Sequence, residues 1–235
     1  MTEEINNCIQ VLKKGGLILY PTDTVWGIGC DATNEIAVQK VYALKNRDDK
    51  KALICLVAHQ AMLERHVAQV PDVAYDIMDL ATKPTTIIFD DPRGIAKNLV
   101  ADDHTLAIRV ASDIFCQRMI QKFGKPIVST SANISGEPTP QNFKSISVKI
   151  LKGEDYVVTL PLENKNTLPS SIIKLSNDGQ VKVIREYMPQ EFHKKPIEHP
   201  IFQLIGEISE NLDWDSYVIG GFVRDYLLQR GTPKD

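Results

Sequence analysis

The sequence predicts an α/β domain built around a central sheet. Along roughly the first 185 residues, short apolar runs of strand length alternate with amphipathic segments of helical spacing, the pattern of helices packed on a sheet. Polar segments follow several of these runs, and ligands tend to bind at such strand ends in open α/β sheets. A change of composition at residues 189–200, rich in proline and charge, predicts a linker.

The composition is that of an ordinary globular protein with no overall attraction to polyanions. Its 235 residues are 43% hydrophobic and 24% charged, with a formal net charge of -3. Binding of nucleic acid would therefore depend on a local basic patch, for which residues 45–51 are the strong candidate. Four scattered cysteines without CxxC spacing favour reduced core thiols over a zinc site. No apolar run has the length of a membrane span, so we expect a cytoplasmic protein with no membrane partner.

The first elements predict a polar loop at the end of a buried strand. Residues 5–12 have helical spacing, and two glycines end that helix. Residues 17–20 form a continuous apolar run, typical of a strand buried on both faces. Residues 22–31 combine hydroxyls, a carboxylate and two glycines. The pattern alone favours a turn held by Thr22 and Thr24, while its place after a strand also fits a ligand site.

A cluster of cations follows the second predicted helix. Asn34 is a suitable N-cap for a helix over 36–44, and a strand is predicted over 52–57. The cations between them are Lys45, Arg47, Lys50 and Lys51. The helix dipole also favours a lysine at a helix C-terminus, so Lys45 alone is weak evidence for ligand binding. Cations at the end of a helix and at the start of the next strand can converge on one anion. The cluster therefore predicts an anion-binding site.

The middle of the chain places an arginine inside a strand. Helices are predicted over 59–70 and 71–81, and strands over 85–89 and 106–110. Arg109 lies within the second strand. A mid-strand arginine faces solvent or is held by a carboxylate or an anionic ligand, and the pattern alone favours solvent.

A second polar segment follows a later strand. Ser112 is a suitable cap for a helix over 114–123, and a strand over 126–128 leads into Ser129-Thr130-Ser131-Ala132-Asn133. These hydroxyls and the amide predict either a polar turn or contacts to phosphate oxygens and a polar small molecule. Two further runs, 170–175 and 181–185, flank an Asp-Gly turn and predict a β-hairpin.

The absence of two sequence motifs excludes two common catalytic designs. The chain has no GxxxxGK[ST] phosphate loop and no GxSxG nucleophile elbow, and no histidine falls in the motif segments, so no general base is apparent. An enzyme with these residues is expected to position its ligands and neutralise phosphate charge with lysine, arginine and Mg²⁺.

Together these motifs resemble the YrdC-like threonylcarbamoyl-AMP synthase family. The resemblance rests on Lys45-x-Arg47-x3-Lys51, on the segment 129–133, and on the YPTDTVWG segment at 20–27; it extends from about residue 10 to 188. It implies a twisted, mostly open mixed sheet flanked by helices, with a basic ligand-binding concavity. It also implies synthesis of L-threonylcarbamoyladenylate from L-threonine, bicarbonate or CO2, and ATP, with release of pyrophosphate. Downstream threonylcarbamoyl transferase proteins would use this product to modify adenosine 37 of tRNA.

The resemblance implies roles for individual residues. The catalytic positions are Lys45, Arg47 and Lys51. The L-threonine-binding positions are Thr24, Lys51, Arg109, Ser129 and Ser171. The ATP-binding positions are Lys45, Arg47, Thr105, Ser131, Asn133, Thr139 and Arg185. ATP is a substrate accompanied by Mg²⁺, for which no side-chain ligand is assigned.

The last segment resembles a different family. Residues 217–228, YVIGGFVRDYLL, resemble the opening of the nucleotidyltransferase head of CCA-adding and poly(A) polymerases. We therefore expect a synthase domain at 1–188, a linker at 189–200 and an incomplete nucleotidyltransferase-like α/β fragment at 201–235. That family's metal-binding carboxylates would begin at or after Asp235, so no independent activity is expected of the fragment.

Three alternatives to the synthase remain open on the sequence. One is a non-catalytic module that binds RNA, including double-stranded RNA, in the basic concavity. Another is a carbamoyl-handling domain of the hydrogenase-maturation type, against which the absence of zinc-finger CxxC pairs argues. The third is a YrdC-like paralogue of undefined activity.

Overall fold

The computed structural model describes residues 1–47, 53–160 and 169–185. The helices in these ranges are α1 (Thr2–Lys13), α2 (Glu35–Lys45), α3 (Gln60–His66), α4 (Asp72–Leu80), α5 (Ile114–Phe123) and α6 (Val148–Gly153). The strands are β1 (Ile18–Tyr20), β2 (Gly27–Gly29), β3 (Ile54–Val57), β4 (Thr85–Asp90), β5 (Thr105–Val110), β6 (Ile127–Ser131), β7 (Tyr156–Val157), β8 (Ser171–Leu175) and β9 (Val181–Arg185). Short 3-10 helices lie at Lys97–Leu99 and Phe143–Ser145.

The described strands form one mixed, open sheet. Its order is β7-β1-β2-β6-β3-β5-β4-β8-β9. Strand β3 pairs in parallel with β5 and antiparallel with β6, while β8 and β9 make the antiparallel hairpin predicted around the Asp-Gly turn. The mixed sheet with flanking helices confirms the fold class expected for the main domain.

The core lies between the sheet and its helices. Strand β1 is buried along its whole length, as its continuous apolar run predicted. Helix α1 packs against α5, and α2 packs against α6. The four cysteines are free and buried in this core, as the sequence indicated, and each large apolar side chain buried beside them contributes about 1.5–3 kcal/mol to folding.

Helix caps confirm one sequence prediction and correct another. The Asn34 side chain accepts hydrogen bonds from the first-turn amides of α2. Helix α5 is capped by Asp113, whose carboxylate accepts from Phe115 N and Cys116 N. The Ser112 hydroxyl, expected as that cap, instead donates to Asp23 Oδ2 at 2.7 Å. A carboxylate suits the N-terminus of a helix because it also favours the helix dipole.

Two expected boundaries differ from the structure. Ser129 and Ser131 lie within β6 rather than after it, because that strand continues to pair with β2 through Ser131. The helix expected over 59–70 is shorter, since His59 caps α3 and the helix ends at His66.

Some predictions fall outside the described residues. These are the role of Lys51, the linker at 189–200 and the nucleotidyltransferase-like segment at 201–235. Within the residues that the structure does describe, no helix is long and apolar enough to cross a membrane.

Candidate active site

A cavity of about 220 Å³ lies over one face of the sheet. Its walls come from the loop after β1, the start of β3, the end of β5, strand β6 and the β8–β9 hairpin. The structure places these sequence-predicted residues in its lining: Thr24, Arg47, Arg109, Ser129, Ser131, Thr139 and Arg185. Side chains from segments far apart in the sequence thus meet at one site.

The sheet register explains why these side chains share a face. Gly27 pairs with Ser131, and Ser129 pairs with Ile54. Residues paired across strands, and every second residue along a strand, project to the same side. The same rule places Ser170 in the lining, whereas Ser171, the residue named from the sequence, is absent from it. Ser170 and Ile172 both line the cavity, so alternation along this segment identifies Ser170 once the register of β8 is known.

Arg109 is buried at the base of the cavity. Its side chain is 4% exposed, and Nη2 lies 3.0 Å from Asp23 Oδ1. Nη1 donates to the Thr24 hydroxyl at 3.3 Å, while Nε is buried and finds no hydrogen-bond partner in the part of the chain that the structure describes. The expectation of a solvent-facing arginine is therefore wrong, because Asp23 supplies the carboxylate that a buried guanidinium needs.

The loop after β1 is both a hydrogen-bonded turn and part of the cavity wall. The Thr22 hydroxyl accepts from the amides of Thr24 and Val25 and donates to the Val25 carbonyl. The Thr24 hydroxyl lies 2.9 Å from that of Thr22. Thr22 itself lines the cavity, a position that the sequence treated only as part of a turn. The turn orients the Thr24 hydroxyl toward Arg109.

Arg47 and Arg185 add two further guanidinium groups to the lining. Arg185 is held against β8, since its Nε and Nη2 donate to the Ser170 carbonyl at 3.1 and 2.7 Å. Burial, and then the charge of Arg109, lower the pKa of Arg185. No carboxylate belongs to the described lining, and the repulsion between the guanidinium groups would be relieved by an anionic ligand.

Lys45 lies beneath the cavity wall rather than in it. Its side chain is 1% exposed, and its ammonium donates to the Ser131 carbonyl and, at 2.6 Å, to the Asn133 carbonyl. Burial, and the nearby charge of Arg47, lower the pKa of Lys45 to about 8. Lys45 therefore ties the end of α2 to the end of β6. Its catalytic and phosphate-contacting role remains a prediction.

Two other residues named from the sequence lie outside the lining. The Thr105 hydroxyl donates to Asp103 Oδ1 at 2.7 Å, at the opposite end of β5 from Arg109. The Asn133 amide donates to the Ile134 and Glu137 carbonyls, which shapes the loop after β6. Their ATP contacts, like that of Ser171 with threonine, remain predictions.

Comparison with known proteins identifies the family. The family model Sua5_yciO_yrdC, described as "Telomere recombination", matches residues 10–186. The chain belongs to this Sua5/YciO/YrdC family. The match contains every described residue of the cavity lining.

Curated relatives of this Sua5/YciO/YrdC chain carry one enzyme name. The threonylcarbamoyl-AMP synthase of Pseudoalteromonas translucida is 36% identical over 176 residues, which cover 74% of this chain and 93% of the relative. The threonylcarbamoyl-AMP synthase of Stenotrophomonas maltophilia is 31% identical over 183 residues, covering 72% and 97%.

Solved structures share the Sua5/YciO/YrdC fold. P. abyssi Sua5, crystallised with L-threonine, has a TM-score of 0.68 at 24% identity. The alignment covers 73% of this chain, which spans half the length of that protein. E. coli YciO has the same TM-score of 0.68 at 23% identity, covering 79% of this chain and 90% of YciO.

Proposed function

We propose that this chain is an L-threonylcarbamoyladenylate synthase. Three guanidinium groups, from Arg47, Arg109 and Arg185, line one cavity together with the hydroxyls of Thr24, Ser129 and Ser131. This arrangement carries the proposal, because it offers charge to an amino-acid carboxylate and to phosphates at the same place. The relatives named threonylcarbamoyl-AMP synthase support the choice of substrates: L-threonine, bicarbonate or CO2, and ATP.

The threonine would bind at the base of the cavity. Arg109 is fixed by Asp23 and Thr24, so its guanidinium is oriented before a ligand arrives. Its buried Nε has no hydrogen-bond partner among the described residues and is the donor that we assign to the threonine carboxylate. A two-point contact through Nε and a neighbouring Nη would orient the threonine carboxylate, with Thr24 and Ser129 beside the remaining polar groups.

The phosphates would occupy the side of the cavity lined by Arg47 and Arg185. The neutral threonine amine would attack CO2, forming a nitrogen–carbon bond and releasing one proton to solvent, and an oxygen of the resulting carbamate would attack the α-phosphorus of ATP. A new oxygen–phosphorus bond forms as the bond between the α-phosphorus and the bridging oxygen breaks, and pyrophosphate leaves with that electron pair. Arg47, Arg185 and, by sequence, Lys51 would offset the charge that develops on pyrophosphate. No covalent enzyme intermediate is required.

Mg²⁺ is proposed as a companion of ATP rather than as a resident metal. In the described ranges no group of three His, Cys, Asp or Glu side chains is placed to hold a metal ion. Asp23, the carboxylate nearest to Arg109, is engaged with that guanidinium and with Ser112. The donors in the described site thus fit phosphate oxygens and a carboxylate better than a cation.

The proposal extends to the setting of the reaction. The adenylate would pass in the cytoplasm to threonylcarbamoyl transferase proteins that modify adenosine 37 of tRNA. The proposal includes direct contact with tRNA. It also includes the expected domain organisation: a synthase domain at 1–188, a linker at 189–200 and a nucleotidyltransferase-like fragment at 201–235.

The test is pyrophosphate release from ATP with bicarbonate, Mg²⁺ and each amino acid in turn. Release with L-threonine alone is the expected result, and the Lys51→Ala and Arg47→Ala variants should slow it strongly. Lys125→Ala is the matched control, since that cation pairs with Asp31 and is absent from the cavity lining. No release with any amino acid, from folded protein that still binds RNA, would favour the non-catalytic RNA-binding module.

A further inference from the structure

Two glycines of strand β2, Gly27 and Gly29, leave different spaces in the fold. A Cβ on Gly29 would lie 2.7 Å from Cε1 of Tyr20, so the tyrosine ring already occupies the space that a side chain there would need. A Cβ on Gly27 would lie 3.1 Å from Thr22 Cγ2 and 3.3 Å from Ser129 Oγ. Thr22, Gly27 and Ser129 all line the cavity, so a side chain at 27 would take space from a ligand.

The space at Gly27 is not explained by the backbone conformation. Gly27 does not have a positive φ, and its conformation is therefore open to residues with a side chain. A glycine inside a strand often marks the place where a ligand approaches the backbone closely. Gly27 has that position, because it lies in β2 and borders the cavity.

Thr22 presents its methyl group to this space. Its hydroxyl is engaged within the loop, where it donates to the Val25 carbonyl and accepts from the amides of Thr24 and Val25. The methyl carbon Cγ2 is the atom that a Cβ on Gly27 would meet first. Burial of a ligand methyl group against this apolar surface favours binding, whereas a ligand hydroxyl placed there would lose its hydrogen bonds to water.

The methyl group of Thr22 lies between the guanidinium and a second hydroxyl of the site. On one side, the Thr24 hydroxyl lies 2.9 Å from that of Thr22 and accepts from Arg109. On the other side, the Ser129 hydroxyl borders the same space at Gly27. A ligand whose carboxylate is held by Arg109 thus meets a methyl group and a hydroxyl side by side. Threonine carries these two groups on its Cβ, whereas serine carries the hydroxyl alone.

We propose that Gly27 and the Thr22 methyl group form the side-chain pocket that selects L-threonine over L-serine. The inference rests on the proposed function, because it takes the amino-acid substrate to bind at Arg109. Gly27 leaves room for the substrate methyl group, and Thr22 supplies an apolar contact to it. The Ser129 hydroxyl lies beside the hydroxyl that both amino acids share. Serine leaves the methyl-sized space unfilled and binds more weakly.

The experiment measures equilibrium binding of L-threonine and of L-serine to the full-length protein by isothermal titration calorimetry, without ATP. The wild type should bind L-threonine roughly tenfold more tightly, the low end of the discrimination that one methyl group gives in a pocket. Gly27→Ala should weaken L-threonine binding at least about tenfold, because a filled pocket becomes overpacked. It should weaken L-serine binding no more than about threefold.

A second variant and a matched control separate selectivity from damage to the fold. Thr22→Ser removes the methyl group and keeps the hydroxyl that holds the turn. It should reduce the preference for L-threonine about three- to fourfold, the effect of one buried methyl group. Gly29→Ala is the same substitution in the same strand, at a position absent from the cavity lining. It should lower the melting temperature by crowding Tyr20 and keep the wild-type preference.

Four outcomes would overturn the proposal: a wild type without the preference, an equal loss of affinity for both amino acids in Gly27→Ala, an unchanged preference in Thr22→Ser, or an equal loss of preference in Gly29→Ala. Pyrophosphate release distinguishes these outcomes from failure of the proposed function. A chain that releases pyrophosphate with L-threonine but lacks the preference remains a synthase without this pocket. A chain that has the preference but releases no pyrophosphate keeps the pocket and fails as a synthase.

Discussion

Replacing Arg109 with lysine tests the threonine subsite while preserving its positive charge. The guanidinium uses Nη2 for Asp23 and Nη1 for Thr24, and Nε, which has no hydrogen-bond partner among the described residues, is the donor proposed for the threonine carboxylate. A lysine ammonium is a point charge and cannot reproduce this fork. Arg109→Lys should therefore keep the ion pair with Asp23 but lose both the Thr24 bond and the second contact to a bound carboxylate.

The structure sets the size of the expected effects. One charge-assisted hydrogen bond contributes about 1.5–3 kcal/mol, so loss of one contact to the threonine carboxylate should raise the KM for L-threonine about 10- to 100-fold. Loss of the longer bond to Thr24 should destabilise the fold by about 1–2 kcal/mol. For a domain of this size, that lowers the melting temperature by about 2–8 °C. Arg109→Met, which leaves Asp23 buried without its partner, should cost about 3–5 kcal/mol.

The assay is pyrophosphate release at varied L-threonine and saturating ATP, with thermal unfolding measured on the same samples. Lys125→Gln removes another ion pair, between a half-exposed lysine and the buried Asp31. It should lower stability by about 1–3 kcal/mol and leave the KM for L-threonine unchanged. A folded Arg109→Lys variant with the wild-type KM for L-threonine would refute the assignment of the subsite.

Three further results are expected. Lys45→Met removes the ammonium that the Ser131 and Asn133 carbonyls share, and leaves Ser131 with the Asn133 amide as its donor. Urea unfolding should therefore show a loss of about 1–3 kcal/mol, with a raised KM for ATP; unchanged values would contradict the tie between α2 and β6. Burial raises the pKa of Glu154 from its ordinary value of 4.5 to about 8. The wild type should therefore be most stable relative to Glu154→Gln below about pH 4.5, and this advantage should fall by a few kcal/mol at most as the pH rises toward about 8. Parallel stability–pH curves for the two proteins would contradict this. The four buried thiols, whose pKa values burial raises, should react with Ellman's reagent only after denaturation, and rapid labelling of the native protein would be inconsistent with the packing.

The sequence predicted those elements that depend on interactions between residues close together in the chain. The cap at Asn34, the buried run of β1 and the Asp-Gly hairpin each depend on neighbouring residues, and the structure confirms all three. Ser112 was misassigned because two adjacent polar residues both suit a helix cap, and the choice depended on distant Asp23, which binds the Ser112 hydroxyl.

The candidate site depended on contacts that no local pattern contains. The local pattern predicted a solvent-facing Arg109, whereas the fold pairs it with Asp23 and with Thr24, the latter 85 residues away. Lys45 fitted a helix end, whereas its acceptors lie 86 and 88 residues along the chain. The choice between Ser170 and Ser171 depended on the register of β8 against β4. The family resemblance named seven of the sixteen described lining residues, while their geometry came from the tertiary structure.

These long sequence separations also set the order in which the site is completed during synthesis. The acceptors of Lys45 emerge from the ribosome long after α2, and Arg185, which closes one wall by binding Ser170, emerges later still. Contacts of such high sequence separation form only after loop closure and are slow to form. A nascent chain that ends before residue 185 would therefore have an incomplete cavity, so we expect full ligand binding only once the β8–β9 hairpin has been translated.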